Sequence, residues 1–553
     1  MIPELLQLPG PESTLPFVPF LFLYAETHFR FFRFFPNFLY RRSPEILFDM
    51  PARLDPGHDL PVMLLINDID RFPVDITEVT LSVSSKSERP FTVKFESPGN
   101  HLIDHPMSWR SKVYLFEIPR SRLKNTTIYV NGKAEVRKGK RKRTYPVIND
   151  NLITSSKTPL ICRVSDTPLP GSDNCSYGDL HVHSQFSQSH VEFGPPVAAI
   201  DRLGHASGID FIGITDHSYD IACRMDNYLE QDPALQRWSE LSREIKTRKF
   251  KTLIVLGEEI SCLNSRKNVV HLCGLGLSDF IPGSSDGARR NVLHTKELSI
   301  HEAVNAIHDQ NGAAVAAHIG AKPGRLQKIF LHRGIWNSED LEANLDGIQG
   351  VNTGFTVSWE RSKALWIKKL QQGLRIPLIA GNDAHGDFNR YRYLGIPFLL
   401  VKEMFERYLG YAKTGTYGKV VSTLELVNAI KEGRTFVTNG PYLGLGSSPD
   451  EKDTLISNNE TKLDYSSLYL VMKSTYEFGK PEEIRLFCGE YAPDGSEKTV
   501  FHRKCANFPW EFTEKIAITG LPSSRGYLRA EAECKKEDDS KTYAFTSACY
   551  FYR

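Results

Sequence analysis

The sequence predicts an α/β fold, with a sheet-and-helix unit at about residues 176–446 and segments of β character on either side. Three observations predict it. Between residues 176 and 440, apolar runs of strand length alternate with helical stretches, the pattern of a parallel sheet, open or closed. That span is close to the ~250 residues typical of a barrel. Finally, 12 of the 17 histidines fall between His181 and His385, where an even spread would place about half as many, and a metal site would cluster them in this way.

The flanking regions follow from composition and punctuation. The chain has 553 residues, 24% charged and 41% hydrophobic, an ordinary globular mix that excludes a largely disordered or collagen-like chain. Lys and Arg number 68 against 66 Asp and Glu, a balance that argues against a dedicated nucleic-acid partner. Nine cysteines form no CxxC pair, so reduced thiols and a cytoplasmic setting are expected rather than a disulfide scaffold.

Residues 1–44 read as a Phe-rich arm. Residues 15–25 are apolar, but they are too few to cross a bilayer and contain Pro16 and Pro19. Glu4 and Glu12 precede them, where a secretory signal would carry basic residues. Phe31, Phe34, Phe35 and Phe38 share one helical face with Arg30 and Arg33 off it, until Pro36 interrupts. This pattern suits weak contact with a membrane surface, or an arm packed on the protein's own body or a second subunit.

Residues 45–165 read as a β-sandwich-like domain. LPVMLLIN (60–67), ITEVTLSV (76–83), KVYLFEI (112–118) and TTIYVNGKAEV (126–136) are strands separated by Pro, Gly, Asp and Asn. The basic run at 137–143 falls between two strand candidates and reads first as a solvated hairpin tip. From 176, the strands GDLHVHS, DFIGITDH, TLIVLGEEI, VVHLCGLGL, AAVAAHI, GIQGVN and PLIAGNDAH are interspersed with helical stretches near 197–206, 234–249, 300–310 and 359–372. A last helix at 424–432 ends at Gly433. Residues 447–462, rich in Ser, Asp, Asn and Glu, are the expected linker to a C-terminal β domain at 463–553.

The chemistry gathers at the strand ends. His181 and His183 are two residues apart, so in an extended strand they face the same side and reach one cation. Asp216 and His217, Glu259, His271, His318, and the pair Asp383 and His385 occupy comparable places. A barrel draws its active site from such ends. Imidazoles with carboxylates suit two or three divalent ions of Zn, Mn or Fe. Asp216 is read as a carboxylate that orients an imidazole, a proton shuttle or a loop cap. Lys322, Arg325 and Arg390 follow ligand candidates and are expected to bind an anionic substrate.

In this order, DLHVHS, GITDHS, GEEIS, VHLCGLG, VAAHI and AGNDAHG resemble the PHP (polymerase and histidinol phosphatase) superfamily of metal-dependent hydrolases. STLELVNAIKEGRTFVTNGP (422–441), together with the ending AFTSACYFYR, is similar to its CehA/McbA-like branch. The resemblance implies a distorted (β/α)7 barrel. It also implies a first metal on His181, His183, Glu259 and Asp383, a second bridged by Glu259 to His271 and His318, and a third on His217 and His385. The chain departs from the pattern at Gln188, where the family carries an acidic residue or His, and His190 is the nearby replacement. It departs again after His318, where Ile319 stands in place of the usual proline. The function expected is phosphoester hydrolysis of a phosphomonoester or short nucleotide. Carboxylic-ester or carbamate hydrolysis on the same metals, or a non-catalytic binding role, are the alternatives.

Overall fold

The structure, a computed structural model, describes residues 43–553 other than 97, 139–143, 152–157, 188–193, 228–229, 285–296, 326–327, 329–331, 386–387, 389–392, 397–398, 403–407, 451–452, 464–466, 492–495, 505–508, 518–520 and 522. The Phe-rich arm through Arg42, most of the basic run and the candidates His190 and Arg390 lie outside the described residues.

The N-terminal part is built from two sheets. One joins Glu45–Asp49, Leu60–Asn67, Ser111–Ile118 and Leu102–Ile103; the other centres on Val74–Ser85 and Thr127–Lys138. Alternation along these strands places Phe48, Leu64, Phe116, Val79 and Val130 in one shared core. Leu60–Asn67 is buried along its whole length because its other face is covered as well. From that face, Met63 and Leu65 join Val197, Ile200 and Leu203 in the largest core of the molecule.

The site rests on seven strands, β1 (Cys175–Val182), β2 (Phe211–Ile214), β3 (Leu253–Leu263), β4 (Val269–Leu275), β5 (Ala313–Ala316), β6 (Gly347–Asn352) and β7 (Leu378–Gly381). Two more, β8 (Lys413–Tyr417) and β9 (Thr435–Thr438), continue beyond β1. The order β7-β6-β5-β4-β3-β2-β1-β8-β9 then runs without a break into Lys541–Thr546, Arg525–Lys535, Lys480–Glu490 and Glu497–Lys504, within a sheet of 15 strands. The sheet curls until the chain beyond β7 lies beside the end of β1, where Ala384 bridges to Val182.

This architecture corrects the expected α/β class and its (β/α)7 barrel. The protein is predominantly β, and the described residues hold six α-helices, one of them the single turn Ser218–Ile221. The physical reason is local. β3, 11 residues long, runs on past the end of β2 and turns back at 264–268, so β3 and β4 form an antiparallel hairpin with no helix between them. β4 pairs antiparallel with β5 as well, and β1 pairs antiparallel with β8. Within β1 to β9, the parallel pairings are those of β1–β2–β3 and β5–β6–β7.

The C-terminal strands close a second core. Tyr442–Gly446, Ser467–Lys473 and Glu511–Ala517 make a three-stranded sheet. Leu443, Leu470 and Met472 from that sheet pack with Leu486 and Leu528 of the long one. Among the described residues no helix is long and apolar enough to cross a membrane. Among the described residues no disulfide forms, and the eight described cysteines are buried.

Candidate metal centre

The ends of β1 and β7 form the floor of the site. His183 N–H donates to Ala384 O at 2.9 Å, and Ala384 N–H reaches His181 O at 3.4 Å. The His-x-His and Asp-x-His pairs are thereby laid side by side, although 200 residues separate His183 from Asp383. Asp383 and His318 adopt left-handed backbone, with φ of 51° and 35°. For residues with a Cβ this conformation is strained, and such strain collects at functional sites.

The side chains converge on Glu259, which is 1% exposed. Its Oε1 lies 2.5 Å from His271 Nδ1, 3.1 Å from His318 Nε2 and 3.4 Å from His181 Nε2. Its Oε2 lies 2.7 Å from His217 Nδ1 and 3.6 Å from His183 Nε2. Asp383 Oδ1 stands 3.1 Å from His183 Nε2 and 3.5 Å from His181 Nε2. The His385 ring stacks on His183 with centroids 3.9 Å apart.

Three overlapping groups can each hold a cation. They are His181, His183, Glu259 and Asp383; His217, Glu259 and His271; and His183, His217 and His385. The first is the set implied by the motif resemblance. In the second, His217 accompanies His271, while His318 approaches Glu259 without completing that group.

The donor set fits divalent transition metals. Glu259 Oε2 is buried without a hydrogen bond, although two imidazole nitrogens lie within 4 Å of it. Burial, then the neighbouring His385 and His217, push the His183 pKa well below its ordinary value, which leaves a neutral ring with a lone pair to give. Burial works against charge on Glu259 and Asp383, but the surrounding imidazoles hold both carboxyls well below their ordinary range. Burial works against charge on His181 as well, but Cys273, Glu259 and Asp383 hold its pKa well above the ordinary value, so it would release its proton on taking a cation. Buried carboxylates and imidazoles together suit Zn, Mn or Fe.

A second layer aims these ligands. Gln349 Oε1 accepts from His181 Nδ1 at 2.9 Å, and Ser187 Oγ lies 3.0 Å from His183 Nδ1. Both contacts leave the Nε2 atoms facing the carboxylates. Asp216 is fully buried. Its Oδ1 accepts the N–H groups of Ser184 and Ser187 at 2.7 and 3.1 Å, and its Oδ2 accepts Ser184 Oγ at 2.6 Å. The structure thus places Asp216 under the loop that carries Ser187. Asp179 similarly accepts the N–H groups of His181, Asn382 and Gly410, and so ties β1 to the chain after β7. Lys322 and Arg325 are exposed on the segment after His318.

The sequence reading missed Gln349, Ser187, Asp179 and Arg333. Arg333, 8% exposed, brings Nη2 to 3.4 Å from His271 Nδ1. No strand-end spacing marks it. Its only signal is a basic residue soon after a ligand motif, the same signal that singled out Lys322 and Arg325.

These residues define a protein with a buried histidine–carboxylate site able to hold divalent metal. No family model matches the chain. No curated protein matches it either. Among solved structures it is similar to a protein of Bifidobacterium adolescentis described as a "putative metal-dependent phosphoesterase". The two are 17% identical, the match covers 38% of this chain and 88% of that one, and the TM-score is 0.26. So slight a likeness does not define a function, which has to be read from the side chains.

Proposed function

We propose that the chain is a metal-dependent hydrolase of phosphate esters, of the PHP type that its motifs resemble. The observation that carries this reading is the gathering of five imidazoles, Asp383 and the buried Glu259 in three overlapping ligand groups, with a sixth imidazole, His318, 3.1 Å from Glu259. His181, His183, Glu259 and Asp383 would hold one cation, and His217, His271 and His385 share in the others.

Divalent cations held there would supply Lewis acidity toward a phosphoryl oxygen and lower the pKa of a coordinated water toward neutrality. The chain's own residues prepare that chemistry. Gln349 and Ser187 hold His181 and His183 with their Nε2 atoms toward the carboxylates. Asp216 fixes the loop behind them. The side chains of His318 and Asp383 are 17% and 16% exposed, whereas those of His181, His183 and Glu259 are at most 1% exposed. Substrate would therefore approach past His318 and Asp383, the more exposed of these ligand candidates.

The test is an assay panel on protein loaded with Mn, Zn or Fe: p-nitrophenyl phosphate, bis-p-nitrophenyl phosphate, short oligonucleotides and p-nitrophenyl acetate. Metal-dependent release from a phosphate ester, lost in Asp383→Ala, supports the proposal. Turnover of the acetate alone moves the assignment to carboxylic esters. No metal-dependent turnover of any substrate overturns the enzyme reading for these classes.

A further inference from the structure

We infer that Asp49, at the end of the N-terminal strand Glu45–Asp49, is a positioning residue for His385 and thereby governs how tightly the group His183, His217 and His385 holds a cation. This rests on the metal-dependent hydrolase reading and deepens it by tying one of its ion sites to a distant part of the chain.

Strand geometry places the carboxylate. Successive residues of a strand face opposite sides, so Leu47 and Asp49 share one face and Ile46 and Phe48 the other. Ile46 and Phe48 lie in the core between the two N-terminal sheets. Leu47 lies in the large core with Met63, Leu65, Phe186 and Phe388. Asp49 pairs with Met63 in the ladder, is turned the same way as Leu47 and is fully buried. A carboxylate is almost never wholly buried unless it is paired or hydrogen-bonded.

What Asp49 holds accounts for its place. Its Oδ2 accepts the N–H of Phe388 at 3.0 Å, across 339 residues of chain, and its Oδ1 accepts the N–H of Met50 at 2.8 Å. Both oxygens meet N–H donors, a demand that an ionised carboxylate fills and an amide, with one acceptor oxygen, does not. Phe388 is buried and stands three residues after His385.

The residues before His385 are fixed from another side. Asn382 is bound to Asp179, and Ala384 bridges to β1 at Val182, so Asp383 is held between two ties. His385 lies beyond that bridge. Its Nδ1 is 3.0 Å from Asp383 O, its ring stacks on His183, and the backbone behind it is fastened to Asp49 at Phe388. Release of Phe388 therefore reaches His385 before it reaches Asp383. The group His181, His183, Glu259 and Asp383 does not include His385 and should keep its cation.

The test counts ions rather than turnover. Full-length wild type, Asp49→Ala, His385→Ala and the double variant are loaded with Mn or Zn. Elemental analysis with chelator competition gives the number of ions and the affinity of each. Asp49→Ala is expected to bind one ion about 10- to 100-fold more weakly, as loss of an outer partner does, and to leave the others unchanged. His385→Ala should weaken the same ion, and adding Asp49→Ala to it should change nothing further. Leu47→Ala, on the same strand face, controls for loosened packing: it should lower the melting temperature and leave every ion at wild-type affinity. Equal ion affinities in Asp49→Ala and wild type overturn the inference. So does a further loss in the double variant, the same loss in Leu47→Ala, or a wild type with no ion that His385→Ala weakens. Should Asp49→Ala fail to fold, the isosteric Asp49→Asn decides by the same comparisons. A wild type that binds no ion sinks the hydrolase reading together with this one. An ion weakened by Asp49→Ala in a protein that hydrolyses no ester sinks that reading and leaves this one standing.

Discussion

Gln349 Oε1 lies 2.9 Å from His181 Nδ1, and the same oxygen accepts the backbone N–H of His318 at 3.2 Å. The amide's nitrogen donates to Asn352 Oδ1 and Gly381 O, which settles which end is which. One neutral side chain on β6 thus fixes the tautomer of one ligand candidate and the backbone of another. Gln349→Ala is expected to weaken metal binding about 10- to 100-fold, as removal of such outer partners does. Chelator competition on the purified protein measures it.

Glu259 belongs to two of the three cation groups. Glu259→Gln keeps the volume and removes the charge. The variant should retain less metal by elemental analysis. It should also lack the rise in melting temperature that added Zn or Mn gives the wild type through preferential binding to the folded state. An equal rise in both proteins would place the cation elsewhere.

Glu244, on the helix Gln236–Thr247, carries a pH signature away from the metal centre. Burial raises its pKa from 4.5 to about 7, although Arg248 Nε, 3.3 Å from Oε1, pulls the other way. A carboxyl with a raised pKa in the fold binds its proton more tightly there than in the unfolded chain. Its effect is therefore most favourable below about pH 4.5 and is lost as pH rises through about 7. The shift corresponds to at most about 3 kcal/mol. Glu244→Gln should gain stability over the wild type progressively from about pH 5 to about pH 8. Parallel urea midpoints across that range would refute the assignment.

Arg53 is 8% exposed and ties four partners together. It pairs with Asp55, bonds Glu477 at 3.1 Å, and donates to Thr167 O at 2.7 Å and Ser207 O at 3.1 Å. Arg53→Ala strands Glu477, whose side chain is 11% exposed. Breaking such a buried pair costs about 3–5 kcal/mol. The expected result is a lower melting temperature and earlier proteolysis near Glu477, read by fragment mapping.

The strand ends were legible because spacing alone carries them. His181 and His183 at i, i+2 declare one side of a strand, and Asp383 with His385 repeats the signal. Leu60–Asn67 and Gly347–Asn352 coincide with the apolar runs LPVMLLIN and GIQGVN. The β3–β4 hairpin was not legible in the same way. Apart from His271, VVHLCGLGL is apolar, so its composition suits a buried strand in either direction, and the Asn264 N–H bond to Asn268 O that closes the turn leaves no mark in strand periodicity. Gln349 and Arg333 escaped for a different reason. An amide or guanidinium becomes part of a site through where the fold puts it, and no periodicity marks it beforehand.

The unbroken run of strands from β7 through β9 into Lys541–Thr546 bears on how the protein can be dissected. Phe436, Val437 and Thr438 are matched by Thr546, Phe545 and Ala544. A chain cut after Gly446 would leave that row of backbone donors and acceptors bare, an open edge inviting pairing with other molecules. Such a fragment should self-associate even with every ligand residue intact. The smallest well-behaved version of the metal centre must therefore carry these distant C-terminal strands with it.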